Sequence, residues 1–230
     1  MKLEEYIKKL NVLYEDNHII VVEKMVRVPM QKDISEDISM IDIVKEYLKI
    51  KYNKPGNVYL GMVHRLDRMV GGIVVFAKTS KAMTRLSETI RTRKMAKKYL
   101  AVLNGELKGS GTLENYLVKN EKENMSSVCR EDTKNAKLAV LDYSVIENAN
   151  GYTLVDVNLH TGRHHQIRVQ FANIGHPLFG DQKYGQKINK IGDNIALYAY
   201  SLSFAHPVSK EVLKFEKKPA KLGGFKYFNI

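Results

Sequence analysis

Residues 63–77 run Val63-His64-Arg65-Leu66-Asp67-Arg68-Met69-Val70-Gly71-Gly72-Ile73-Val74-Val75-Phe76-Ala77. The last five are apolar, β-branched at Ile73, Val74 and Val75, and fenced by a glycine pair. That is the pattern of a short buried strand rather than of a helix. Residues 58–63 read as another strand, so Asp67 falls between two arginines where an apolar strand gives way to a glycine-hinged turn. On composition and spacing alone, such an aspartate is first a candidate for a structural ion pair. A reacting carboxylate is the alternative that the residues leave open.

Working outward, Thr79 or Ser80 caps a helix whose apolar stripe is Met83, Leu86 and Ile90. Tyr99–Leu103 follows as a strand ending at Asn104-Gly105. Upstream, residues 12–14 and 18–22 read as strands about the turn Glu15-Asp16-Asn17. Ser39 and Asp42 have capping-box spacing for a helix through Ile43, Val44, Tyr47 and Leu48, broken by Lys54-Pro55-Gly56. The polar stretch 119–132 reads as a mobile loop. Residues 136–146 and 152–159 form strands joined at 148–151. Thr161-Gly162 opens a short helix carrying Ile167, Phe171 and Ile174, and Gly175 stops it. Residues 195–204 and 212–216 make a last strand pair around His206-Pro207. Many strands, few helices and short connections predict an α+β fold with a mixed, mostly antiparallel sheet. No repeat or linker divides the chain, so residues 1–230 are read as a single domain.

Composition narrows the function. The 230 residues carry 37 Lys and Arg against 25 Asp and Glu, a net charge of +12. Such a surface attracts polyanions, and nucleic acid is the leading one; a basic surface kept for solubility is the bland reading. Residues 78–98 hold eight of the basic side chains and one acid, Glu88. No apolar run is long enough to span a bilayer, and the acidic N-terminus lacks an export signal. The lone Cys129 forms no internal disulfide, which fits a reducing, cytoplasmic setting.

Three further constellations stand out. Residues 159–169 run Leu159-His160-Thr161-Gly162-Arg163-His164-His165-Gln166-Ile167-Arg168-Val169. Arg163, His164, His165, Gln166 and Arg168 crowded together suit anion or RNA contact, with a solvated helix face as the plain alternative. Lys97-Lys98-Tyr99-Leu100-Ala101 offers an aromatic beside two cations, although Tyr99 reads equally as an ordinary sheet residue. Residues 174–185, with glycines at 175, 180 and 185, look like a loop shaping a pocket wall.

Taken together, these pieces resemble the RluA-type family of RNA pseudouridine synthases, over nearly the whole chain. The family's catalytic motif resembles His64-Arg65-Leu66-Asp67 with the strand ending Ala77-Lys78-Thr79. Its tyrosine motif resembles Lys98-Tyr99-Leu100-Ala101 with Gly105. Its third is similar to Thr161-Gly162-Arg163, His165–Val169, Gly175-His176-Pro177, Gly180-Asp181 and Tyr184-Gly185, and Leu202, Phe204, His206 and Pro207 fit the last. Met69-Val70-Gly71 stands where Asp-Thr-Ser is usual, Lys24-Met25 where Lys-Pro is usual, and Tyr198-Ala199 where His-Ala is common.

The resemblance implies a sheet split by a central cleft, with the catalytic aspartate on a loop inside it. It implies isomerisation of a uridine to pseudouridine in structured RNA, either 23S ribosomal RNA or transfer RNA, with no cofactor and no metal. Asp67, Tyr99 and Arg168 are then the catalytic candidates, with Arg168 the ion-pair partner of Asp67. Arg65, His64, Arg68, Arg163, His165 and Gln166 are the candidates for RNA binding and base flipping, Arg65 filling the space the base leaves. The expected protein is a monomer without the S4-type RNA-binding domain that many relatives carry in front. Two rivals stay open: a noncatalytic RNA-binding protein, and a metal-dependent hydrolase built on His160, His164, His165 and His176.

Overall fold

The computed structural model describes residues 2–33 and 35–230. Two compact units emerge, Met1–Met95 with Leu202–Lys217, and Ala96–Ser201 with Lys218–Ile230.

In the first unit, strands β1 (Val12–Glu15), β2 (Ile19–Lys24), β3 (Gly61–Met62) and β4 (Gly71–Ala77) pair antiparallel. The β2–β4 register runs from Ile19 opposite Ala77 to Lys24 opposite Gly72. Every residue of β4 is buried, as the apolar run between glycines requires. Ile19, Val21, Ile73 and Val75 pack with Leu202 and Phe204 and with Ala82 and Leu86 of helix α3 (Ser80–Arg91). Thr79 caps α3, its hydroxyl accepting from the Ala82 amide at 3.1 Å. Helix α2 (Met40–Lys51) carries the expected Ser39–Asp42 capping box. The strand expected over 58–63 shrinks to Gly61–Met62, where the missing side chain of Gly61 makes room for Met83. Helix α1 (Leu3–Lys9) precedes β1 and was not foreseen; it has no side-chain cap and no fully buried residue, so its signal is weak.

In the second unit five strands lie in the order β5-β9-β8-β6-β7, antiparallel throughout: β5 (Ala96–Asn104), β6 (Ser110–Asn120), β7 (Met125–Cys129), β8 (Lys137–Ala149) and β9 (Tyr152–Leu159). Asn150 and Gly151, both at positive φ, turn β8 into β9, since two left-handed residues match the twist of a tight hairpin. The loop expected over 119–132 is corrected. β6 ends only at Asn120 and β7 pairs with it from Met125 to Cys129. These strands are largely solvated, so they lack the apolar alternation by which strands are read. Helix α4 (Gln166–Asn173) begins later than expected, after a turn at 163–165, and Phe171 packs edge-on to Tyr143 of β8 at 5.5 Å. Gly175, at φ +84, ends it. Strand β10 (Leu197–Ala205) belongs to both units and pairs with β11 (Val212–Glu216). The fold is α+β with a mostly antiparallel sheet, as read from the sequence.

Candidate active site

Asp67 occupies the first position of a turn: the Val70 amide donates to its carbonyl at 3.0 Å, and the Met69 amide to its Oδ1 at 3.2 Å. Leu66 is buried and Arg65 exposed, an in–out alternation that presents the guanidinium of Arg65 to solvent. Among the described residues the Arg65 side chain makes no hydrogen bond or ion pair. His64 folds back instead, its Nε2 accepting from the Val75 amide of β4 at 3.3 Å.

What holds the turn is Lys24, at the end of β2. Its side chain is 1% exposed, and its ammonium donates to the carbonyls of Met25, Arg68 and Val70 at 3.0, 3.0 and 2.8 Å. Burial brings its pKa down to about 7, Asp67 opposing that shift and Arg68 adding to it. This role is not readable from local residues, because the two carbonyls of the turn that Lys24 meets lie more than forty residues away. Arg68 is engaged elsewhere: it pairs with Asp37, lies 3.7 Å from Asp33 and donates to Ser35 Oγ at 3.0 Å.

In the second unit Tyr99 lies on β5 opposite Val157, 6% exposed. Burial pushes its hydroxyl pKa well up, so the phenol keeps its proton, and among the described residues that hydroxyl has no hydrogen-bond partner. Arg168 points inward from the first turn of α4. Its Nε and Nη2 donate to Asp181 Oδ2 and Oδ1 at 2.8 and 2.7 Å, and its guanidinium lies 5.2 Å from the centre of the Tyr184 ring. Asp181 is the acid that sequence reading placed in a motif without a role. The turn before α4 is tied down as well. Gln166 is buried, accepts from Thr161 Oγ1 and the Arg163 amide at 2.8 and 3.0 Å, and donates to the Val140 carbonyl at 3.1 Å. Arg163 Nε donates to the Leu138 carbonyl at 2.8 Å. His165, in the left-handed conformation, stacks on His164 at 3.8 Å and meets the Tyr184 hydroxyl at 3.0 Å.

The family model described as RNA pseudouridylate synthase matches residues 18–173, which include Asp67, Tyr99 and Arg168. The chain belongs to that family. It is 34% identical to an uncharacterized RNA pseudouridine synthase of Aquifex aeolicus over 90% of its length and 68% of the relative's. It is 32% identical to ribosomal large subunit pseudouridine synthase D of Xanthomonas campestris, over 89% of this chain and 64% of that one. The chain thus spans about two thirds of the length of these relatives. The structure of human RNA pseudouridylate synthase domain containing 4 shares the fold, with a TM-score of 0.81 at 22% identity, covering 98% of this chain and 94% of the other.

For this pseudouridylate synthase relative, three expectations are reshaped by the geometry. Gln166, expected to meet RNA, is buried with its amide spent on its own loop; a glutamine in sequence suggests contact with solvent, but here it closes orphan backbone groups. The basic run after Asp67 is thinner than its count: Lys78 pairs with Glu15 at 2.7 Å, Arg91 with Glu88 at 2.6 Å, Lys98 with Asp156 at 3.2 Å, and Arg85 donates to the Pro207 carbonyl. Lys81, Arg93 and Lys94 stay exposed. The histidines of the hydrolase reading each find another partner: His160 meets Asp142, His164 meets Ser126, His165 meets Tyr184 and His176 meets the Asn104 carbonyl. Among the described residues no three His, Cys, Asp or Glu side chains converge to hold a metal. No helix there is long and apolar enough to cross a membrane.

Proposed function

We propose that this chain isomerises a uridine to pseudouridine in structured RNA, with Asp67 as the reacting carboxylate. The observation that carries the reading is the Asp67 turn. It joins the family's His-Arg-Leu-Asp motif to a fully buried strand and is fixed from behind by two bonds from one buried lysine.

The reaction breaks the bond from ribose C1′ to uracil N1 and joins C1′ to C5. A proton leaves C5 and one is gained at N1, so composition and oxidation state are unchanged. That chemistry needs an ionised carboxylate beside the sugar, acting as nucleophile or as base toward a sugar proton. On the family resemblance, Arg168 is the cation that keeps Asp67 ionised; an arginine within about 4–6 Å lowers an aspartate pKa by about 1–3 units. Tyr99 serves as the aromatic platform for uracil, stacking being worth about 1–3 kcal/mol per base. Arg65, solvent-exposed and without a partner among the described residues, is suited to enter the space left when the base is extruded. The relatives named for the large ribosomal subunit favour its RNA as the substrate over transfer RNA.

Pseudouridine mapping of cellular RNA with and without this gene tests activity and target together. Asp67→Asn should abolish product while leaving RNA affinity within about twofold, since shape is kept and charge lost. Turnover at the wild-type rate by the asparagine variant would end the assignment.

A further inference from the structure

Lys97 stands on β5 two residues before Tyr99, and the two-residue period of a strand sets both side chains on one face, about 7 Å apart. The next lysine, Lys98, faces the other way and is paired with Asp156. Lys97 is half-buried, yet among the described residues its ammonium has no hydrogen bond and no ion pair. Burial lowers its pKa, and no carboxylate offsets that shift. A side chain built on exposed Gly162 would begin 3.7 Å from this ammonium, so the glycine leaves the approach to it open. The Tyr99 hydroxyl on the same face is likewise without a protein partner among the described residues.

An ammonium partly withdrawn from water without a counter-charge weakens the fold, and such costs are characteristic of ligand sites. The face offers an aromatic ring and an unanswered cation one strand period apart. A nucleotide offers a flat base and an anionic phosphate at a similar separation. We infer that Lys97 is a substrate-binding residue that takes a phosphate of the RNA strand beside the nucleotide whose base lies on Tyr99. This assignment rests on the reading of the chain as an RNA-modifying enzyme.

The test uses the full chain and an in vitro transcript of large-subunit ribosomal RNA, with binding measured across a salt series. Losing one phosphate contact lowers the slope of log affinity against log salt by about one. Lys97→Met should show that loss and bind about tenfold more weakly, as removal of a charge-assisted bond predicts. Lys97→Arg should keep the slope. Without RNA, the methionine variant should melt at or above the wild-type temperature, because an uncompensated charge has been removed. An unchanged slope in Lys97→Met, or a lowered melting temperature, overturns the assignment. Pseudouridine formation on the same transcript separates the two readings. A lysine-dependent slope without product in the wild type removes the proposed activity and leaves Lys97 as a phosphate ligand; product with a lysine-independent slope does the reverse.

Discussion

Tyr99 shows how much a single residue's surroundings decide. In sequence it is one tyrosine among thirteen and reads as a sheet aromatic unless its motif is noticed. In the fold it is buried and keeps its proton, and among the described residues its hydroxyl has no hydrogen-bond partner. The hydroxyl oxygen is not sealed off from outside the protein, so a ligand can reach it. Tyr99→Phe keeps the ring and removes the hydroxyl. RNA affinity should stay within a few-fold of wild type while single-turnover pseudouridine formation falls about a hundredfold or more, the usual weight of a positioned proton carrier. Equal rates for the two proteins would reduce Tyr99 to a stacking platform. Asp67 is proposed from its motif in the same way. Lys24 was not legible: its bonds run to carbonyls, and carbonyls carry no residue signature.

Elements were read best where one face is buried and an end is chemically marked. The Ser39 capping box, the Thr79 cap, the all-buried β4 and the Asn150-Gly151 turn all follow from local residues. β6 and β7 escaped because a solvated edge hairpin has no apolar period, and α1 because it is short and uncapped. The loop after α4 was seen as glycine-punctuated, but its function lies in what it carries. Gly180 is held at φ +75, where a Cβ would fall 2.2 Å from the Asn194 carbonyl oxygen. Asn189 closes the loop, donating to the Leu178 and Asp181 carbonyls and accepting from the Gly180 amide. Asp181, so placed, answers the guanidinium of Arg168 and accepts the Lys183 amide at 2.9 Å. This knot joins α4 to its following loop. Asp181→Ala takes a two-point acid contact from a guanidinium that is 5% exposed, so it should lose about 3–5 kcal/mol in urea denaturation. A loss below about 1 kcal/mol would mean that another group carries the charge of Arg168.

At the scale of the whole chain, the +12 charge sets the background against which every buried cation is judged. It drew attention to RNA, yet several of the lysines and arginines it counts are spent on acids and carbonyls. Lys24 is the case with a measurable consequence for stability. In the unfolded chain it titrates near 10.5, and in the fold near 7. Between those values the unfolded chain holds a proton that the folded one has released, so raising pH favours the fold. Below about pH 7 both states are protonated, and the cost of burying the charge is fully present. Each pH unit within the window is worth up to about 1.4 kcal/mol. Other groups, including the self-repulsion of the basic surface, titrate alike in a Lys24→Met variant and cancel in the difference. Urea midpoints at pH 7, 8 and 9 should therefore show wild type gaining about 2–3 kcal/mol on the variant across the series, although it begins with an offset from its three carbonyl bonds. Parallel curves would mean that those carbonyls hold the lysine charged throughout, and that the turn bearing Asp67 rests on a permanent cation.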